Sequence, residues 1–139
     1  NFSPVGAGTN AVNKFLNCDF RAVADAVPNL NRNANFYKRA NGYFQVGGGT
    51  TWAKNCNFSA LNGARQTYGF YIQGPGSVAY LSGCTVSATS SHGGDVKQFF
   101  IDGATVYTDF WVDPHQVTLT NGAVLITNMV TFGDEAFLP

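Results

Sequence analysis

The segment Asn55-Cys56-Asn57-Phe58 recurs, slightly altered, around each of the other two cysteines, as Asn17-Cys18-Asp19-Phe20 and Gly83-Cys84-Thr85-Val86. The shared pattern is Asn or Gly, a small apolar residue, a polar residue, then a large apolar one. It appears again at Asn33-Ala34-Asn35-Phe36, Gly103-Ala104-Thr105-Val106 and, less cleanly, Gly122-Ala123-Val124-Leu125. Small-in, polar-out, large-in is the period of two that a half-buried strand requires. Asn and Gly are the residues that most readily enter the left-handed region at a turn. Each copy therefore reads as a bend followed by a short strand.

The second position of the pattern falls at 18, 34, 56, 84, 104 and 123, a drifting period with a mean of 21. A repeat of that size predicts an all-β solenoid of about five to six rungs. The chain divides into a linker at 1–11, a β-solenoid domain at 12–132 and a C-terminal tail or cap at 133–139. Opening on Asn1 and a linker-like stretch, it is expected to be a piece of something longer. Other strands are expected at 43–46, 68–72, 78–81, 96–101, 106–112, 117–120 and 125–132. A helical turn is expected at 22–27, stopped by Pro28. The gap from 56 to 84 calls for an outward loop around 61–66, and 87–94 reads as a second loop.

With Asn17, Asn33 and Asn55 as a ladder at a bend and Phe20, Phe36 and Phe58 as a ladder inside the coil, residues 12–132 resemble a fragment of a right-handed parallel β-helix, the family of pectate lyases and phage tailspikes. The resemblance lies in the pattern and includes no catalytic motif of that family. It implies part of a tailspike or tail fibre, on a virion tail or a cell surface, that engages host-surface polysaccharide as a homotrimer. A β-sandwich or jelly roll is the alternative fold. The alternative functions are a polysaccharide-degrading lyase or glycoside hydrolase with a site shared between subunits, and a purely structural trimerisation module.

Composition agrees with stacked rungs. Eight Lys and Arg balance eight Asp and Glu, charged residues are 12% of the chain, and sixteen glycines and fourteen asparagines carry much of the polar content. Rungs about 4.8 Å apart would place like charges in register, whereas Asn, Thr and Ser can hydrogen-bond up the column. Zero net charge offers no basic face for nucleic acid. No apolar run reaches the ~18 residues of a membrane span. At 45% apolar residues the chain is not disordered.

The cysteines read as packing residues. Taking Ala34 to lie between them, Cys18 and Cys56 are two rungs and roughly 10 Å apart; Cys56 and Cys84 are neighbours at a spacing above the ~3.8 Å that a disulfide prefers. Three buried free thiols are expected. No metal site is expected, since His92 and His115 lie far apart without a Cys or carboxylate cluster, and no cofactor. Gly47-Gly48-Gly49 reads as a coil corner, since no helix or Lys-Ser/Thr follows it. Asn57-Phe58-Ser59 matches a glycosylation sequon but falls within a strand.

The carbohydrate-binding candidates are Asp109, Trp111 and Asp113. In a strand these three share one face while Phe110 and Val112 take the other. A Trp flanked by carboxylates suits a sugar, since the indole stacks on the apolar ring face and carboxylates accept from hydroxyls. As a catalytic pair the two aspartates fit poorly, because four residues of strand span roughly 13 Å against ~9.5 Å at most for an inverting glycosidase. Asp95, Asp102 or another subunit would have to supply a partner, and Arg65, Lys38 or Arg39 the cation of a lyase. With one Glu in the chain, recognition or assembly is favoured over catalysis.

Overall fold

The computed structural model describes residues 11–24 and 39–137. Among them the chain is all-β, with twelve strands in three parallel sheets and no sheet closed on itself. In spatial order the first sheet holds β1 (Val12–Leu16), β4 (Gly49–Lys54), β7 (Ser77–Ser82), β10 (Thr105–Thr108) and β12 (Val124–Ile126). The second holds β2 (Asp19–Val23), β5 (Asn57–Leu61) and β8 (Thr85–Thr89). The third holds β11 (Val117–Thr120), β9 (Asp95–Asp102), β6 (Gln66–Gln73) and β3 (Arg39–Val46). Every pairing among these strands is parallel. A sandwich or jelly roll is assembled from antiparallel strands, so neither describes these residues.

From β3 onward the chain visits the third, first and second sheets in turn. Thr50 pairs with Val78, Asn57 with Thr85 and Gln66 with Asp95, so these circuits take 27 to 29 residues and not 21, while Val12 pairs with Thr50 and Asp19 with Asn57, 38 residues on. The last circuit is shorter, 18 or 19 residues, because it passes from β10 to β11 without a strand in the second sheet. The expected period mixed two bends. Asn17, Asn55 and Gly83 lie between the first and second sheets, whereas Gly103 and Gly122 lie between the third and the first. All five have positive φ, from 54° to 76°, as the first position of the pattern predicted. The Asn33 copy lies outside the described residues.

The corrected period removes the outward loop at 61–66. Those residues instead close a tight bend in which Gly63 and Ala64 are buried. The expected helical turn is also displaced, since Ala22 and Val23 belong to β2, and 25–27 lie outside the described residues. Strands β3, β6, β7, β9 and β11 contain the expected segments, while β1 and β4 are strands that the pattern does not mark. β10 stops at Thr108 and β12 at Ile126, short of the expected 112 and 132.

Inside the circuits, Phe20 stacks on Phe58 at 5.1 Å, Tyr43 stacks on Phe70 at 4.8 Å, and Phe58 meets Phe70 edge-on at 5.2 Å. These rings, with Ile72, Leu81, Phe99, Ile101 and Val106, form one core. A buried polar chain crosses it. The Tyr43 hydroxyl pairs with Thr51 Oγ1 at 2.8 Å, Thr51 donates to Gln45 Oε1 at 2.5 Å, and Gln45 Nε2 donates to Gly49 O at 3.0 Å. Burial pushes the Tyr43 phenol up to about 12, and the paired neighbours offset the cost of enclosing these polar groups. Outside, Asn57 donates to Asp19 at 2.9 Å and Thr85 to Asn57 at 2.6 Å, a hydrogen-bonded ladder in which only one of three rungs carries a charge.

Gly42 and Gly69 let the third sheet close onto the second. A Cβ on Gly69 would lie 2.7 Å from Val86 Cγ1 and 2.8 Å from Ser87 O, and one on Gly42 would lie 2.8 Å from Ser59 O. The cysteine spacing also changes. Asp19 pairs directly with Asn57, so Cys18, Cys56 and Cys84 occupy one position on three consecutive circuits, with no Ala34 between them. All three are free, and Cys18 is only half-buried.

Candidate functional site

Residues 109–116 replace a strand of the second sheet in the last circuit. Asp109 still donates its N–H to Leu81 O at 3.3 Å, but its carboxylate turns back onto the bend beneath it. It accepts from Ser82 Oγ at 2.5 Å, Gly83 N at 2.9 Å and Thr131 Oγ1 at 2.7 Å. Partial burial raises this carboxyl, but the three donors outweigh it and hold Asp109 below the ordinary range. Five residues on, Pro114 has no N–H to continue a ladder. The single-face arrangement expected of Asp109, Trp111 and Asp113 therefore does not form.

Thr131 belongs to a C-terminal strap. Met129 donates its N–H to Thr108 O at 3.0 Å, Lys54 Nζ donates to Phe132 O at 2.9 Å, and Lys54 pairs with Asp134 at 2.8 Å. Phe132 packs edge-on against Trp52, which begins the stacked series Trp52, Tyr80, Tyr107 on the outer side of the first sheet. These stacked rings cover one another's faces, so a sugar has little open face there. Within the C-terminal tail or cap expected at 133–139, Asp134 pairs with Lys54 and Phe137 packs against Phe132 of the same chain.

Trp111 is 76% exposed. It borders a groove of about 290 Å³ lined by Val112, Pro114, Val117, Leu119, Leu125 and Thr127. Val117 and Leu119 continue the inward columns of Phe99 and Ile101, and Leu125 that of Val106. No further circuit covers them among the described residues, which leaves Leu119 48% exposed. Asp113 stands beside Trp111 as the cap of the turn Pro114–Gln116, accepting from His115 N at 3.0 Å. That backbone donor is the main cause that holds its carboxyl low. Its side chain keeps 43% exposure, and His115 Nδ1 lies 3.2 Å away.

The structure thus leaves Trp111 and Asp113 both exposed, two residues apart in the chain, and withdraws Asp109 into the strap contact. Asp95 accepts from Tyr68 at 2.5 Å, a bond that, after desolvation, helps raise the phenol's pKa, and Asp102 accepts from Asn121 at 2.6 Å. Arg65 is exposed in the 62–65 bend, and Lys38 lies outside the described residues. Among the described residues, no group of three or more His, Cys, Asp and Glu side chains is placed to hold a metal ion. The groove residues carried no sequence signal, because inward strand residues look alike whether or not another circuit covers them. No protein-family model, curated protein or solved structure matches the chain.

Proposed function

We propose that the three sheets are a stretch of right-handed parallel β-solenoid of five to six rungs, and that the protein is part of a phage tailspike or tail fibre. In this reading it acts as a homotrimer on a virion tail or cell surface and binds surface polysaccharide at Trp111. The observation that carries it is an indole 76% exposed at the rim of an apolar groove, with the exposed carboxylate of Asp113 two residues on. An indole face stacks on a sugar ring, and Asp113 accepts from its hydroxyls. Asp109, engaged by three donors, supports the backbone beneath Trp111. The donors on both aspartates hold their carboxyls low and favour the ionised form over a general acid, so binding is favoured over cleavage.

The test is affinity for a panel of capsular and lipopolysaccharide glycans with wild type and Trp111→Ala. Loss of one stacking contact should weaken binding about tenfold, near 1.4 kcal/mol. Unchanged affinity would overturn the platform, and release of new reducing ends or unsaturated uronates would replace binding by the enzyme reading. A second reading rests on the groove itself, whose lining is apolar except for Thr127. Such a surface suits the side chains of another circuit or copy, as in a structural trimerisation module. Light scattering that gives a monomer mass would remove the homotrimer from either reading.

A further inference from the structure

The column of Cys18, Cys56 and Cys84 is the one cluster of soft, nucleophilic side chains among the described residues. It belongs neither to the strap nor to the Trp111 groove. The Cys56 sulfur sits at its centre. It receives the Cys18 backbone N–H at 3.4 Å and donates to Lys54 O at 3.3 Å. Cys84 Sγ donates in turn to Ser82 O at 3.4 Å, and Cys18 Sγ to Leu16 O at 3.5 Å. Each thiol thus meets the carbonyl two residues before it, and the corner repeats the same local geometry three times. Cys56 and Cys84 are 2% and 6% exposed, enclosed by the core, while half-buried Cys18 stands at the end of the column.

We propose that Cys56 and Cys84 form a two-coordinate site for a soft monovalent metal ion of the copper(I) class, with Cys18 as the surface thiol through which the ion enters. The stacking of the cysteines on consecutive circuits carries the proposal. Metal–thiolate bonds of about 2.3 Å placed in line span ~4.6 Å, close to the ~4.8 Å between paired strands. A tetrahedral zinc site needs four converging ligands, and a straight column cannot supply them. Two sulfurs without a third or fourth ligand favour a soft ion content with linear coordination. The cysteines were expected to serve packing alone; placing them on consecutive circuits changes that expectation.

Binding replaces two S–H bonds by two metal–sulfur bonds and releases two protons, with no change of oxidation state. The second proton is the harder to remove in an apolar corner. Uptake should therefore weaken as pH falls.

The test loads the full chain anaerobically with copper(I) as its acetonitrile complex, and with silver(I) as a redox-inert probe, then desalts it. Native mass spectrometry should find one ion per chain, and X-ray absorption should find two sulfur neighbours and no nitrogen. Cys56→Ser and Cys84→Ser should each abolish retention, and Cys18→Ser should keep one ion with slower uptake. Circular dichroism checks that the variants fold. If they do not, the wild-type absorption spectrum decides alone, since three or four ligands, or none retained, would overturn the site. Retention in Cys56→Ser equal to wild type would overturn it as well.

Discussion

Gly69→Ala perturbs the contact on which the closing of the three sheets depends. The added Cβ would sit 2.7 Å from Val86 Cγ1, 2.8 Å from Ser87 O and 3.0 Å from Gln98 O. Non-bonded carbon contacts are most favourable from ~3.5 Å outward, so the shortfall at Ser87 O is roughly 0.7 Å. Two of the three obstacles are backbone, and the third is a β-branched side chain packed on the core, so β6 and β8 must move apart. Overpacking of this kind costs about 1–3 kcal/mol. Loss of glycine's freedom in the unfolded chain returns about 0.4–1 kcal/mol. The net expectation is destabilisation of about 1–2 kcal/mol, a fivefold to thirtyfold fall in the folding equilibrium. Urea unfolding followed by circular dichroism reads it as a lower midpoint at constant slope. Gly47→Ala is the contrast. Its Cβ meets nothing within 4 Å, but its φ of +87° is costly for alanine, about 1–2 kcal/mol. Relief of that cost by Gly47→Asn, an αL-tolerant residue, with no rescue by Gly69→Asn, separates backbone strain from crowding. Gly69→Ala as stable as wild type would mean that the second and third sheets do not approach as described.

Phe58→Ala removes a fully buried ring that stacks on Phe20 and meets Phe70 edge-on, and should cost about 3–5 kcal/mol in the same assay. A loss below about 1 kcal/mol would place Phe58 outside the core. Asp109 provides a pH test. Its folded carboxyl is lower than the unfolded one, so its contribution is present above about pH 4 and is lost as pH falls through the folded value. In a Trp111→Phe background, Trp52 reports the strap through Phe132. Its emission should change on acidification, and Asp109→Asn should show the acid form at neutral pH. A titration identical to wild type would separate Asp109 from the strap.

Local chemistry was legible in the residues. The four-residue pattern located the left-handed corners at Asn17, Asn55, Gly83, Gly103 and Gly122, since φ depends on a residue and its neighbours. It also marked the inward large residues Phe20, Phe58, Val86 and Val106, because alternation is a property of one strand. The low charge fits in-register columns such as Asp19, Asn57 and Thr85, where neutral Asn57 and Thr85 stack on a single carboxylate.

What a residue stacks on was not legible, because it depends on circuit length, and two kinds of corner with one sequence signature made the period look like 21. Counting the Asn33 copy as a rung of its own separated Cys18 from Cys56, which in fact are neighbours. The fate of Asp109 was hidden for a related reason. Ser82 and Gly83 lie 27 and 26 residues before it, and Thr131 lies 22 after it. A carboxylate in a polar-alternating run reads as exposed until its donors are in place. Alternation, bends and neutrality thus belong to the chain as written, since each is settled within a few residues. Register, the thiol column, the strap and the open groove at Trp111 arise from long-range stacking, where one circuit's length fixes every partner in the next.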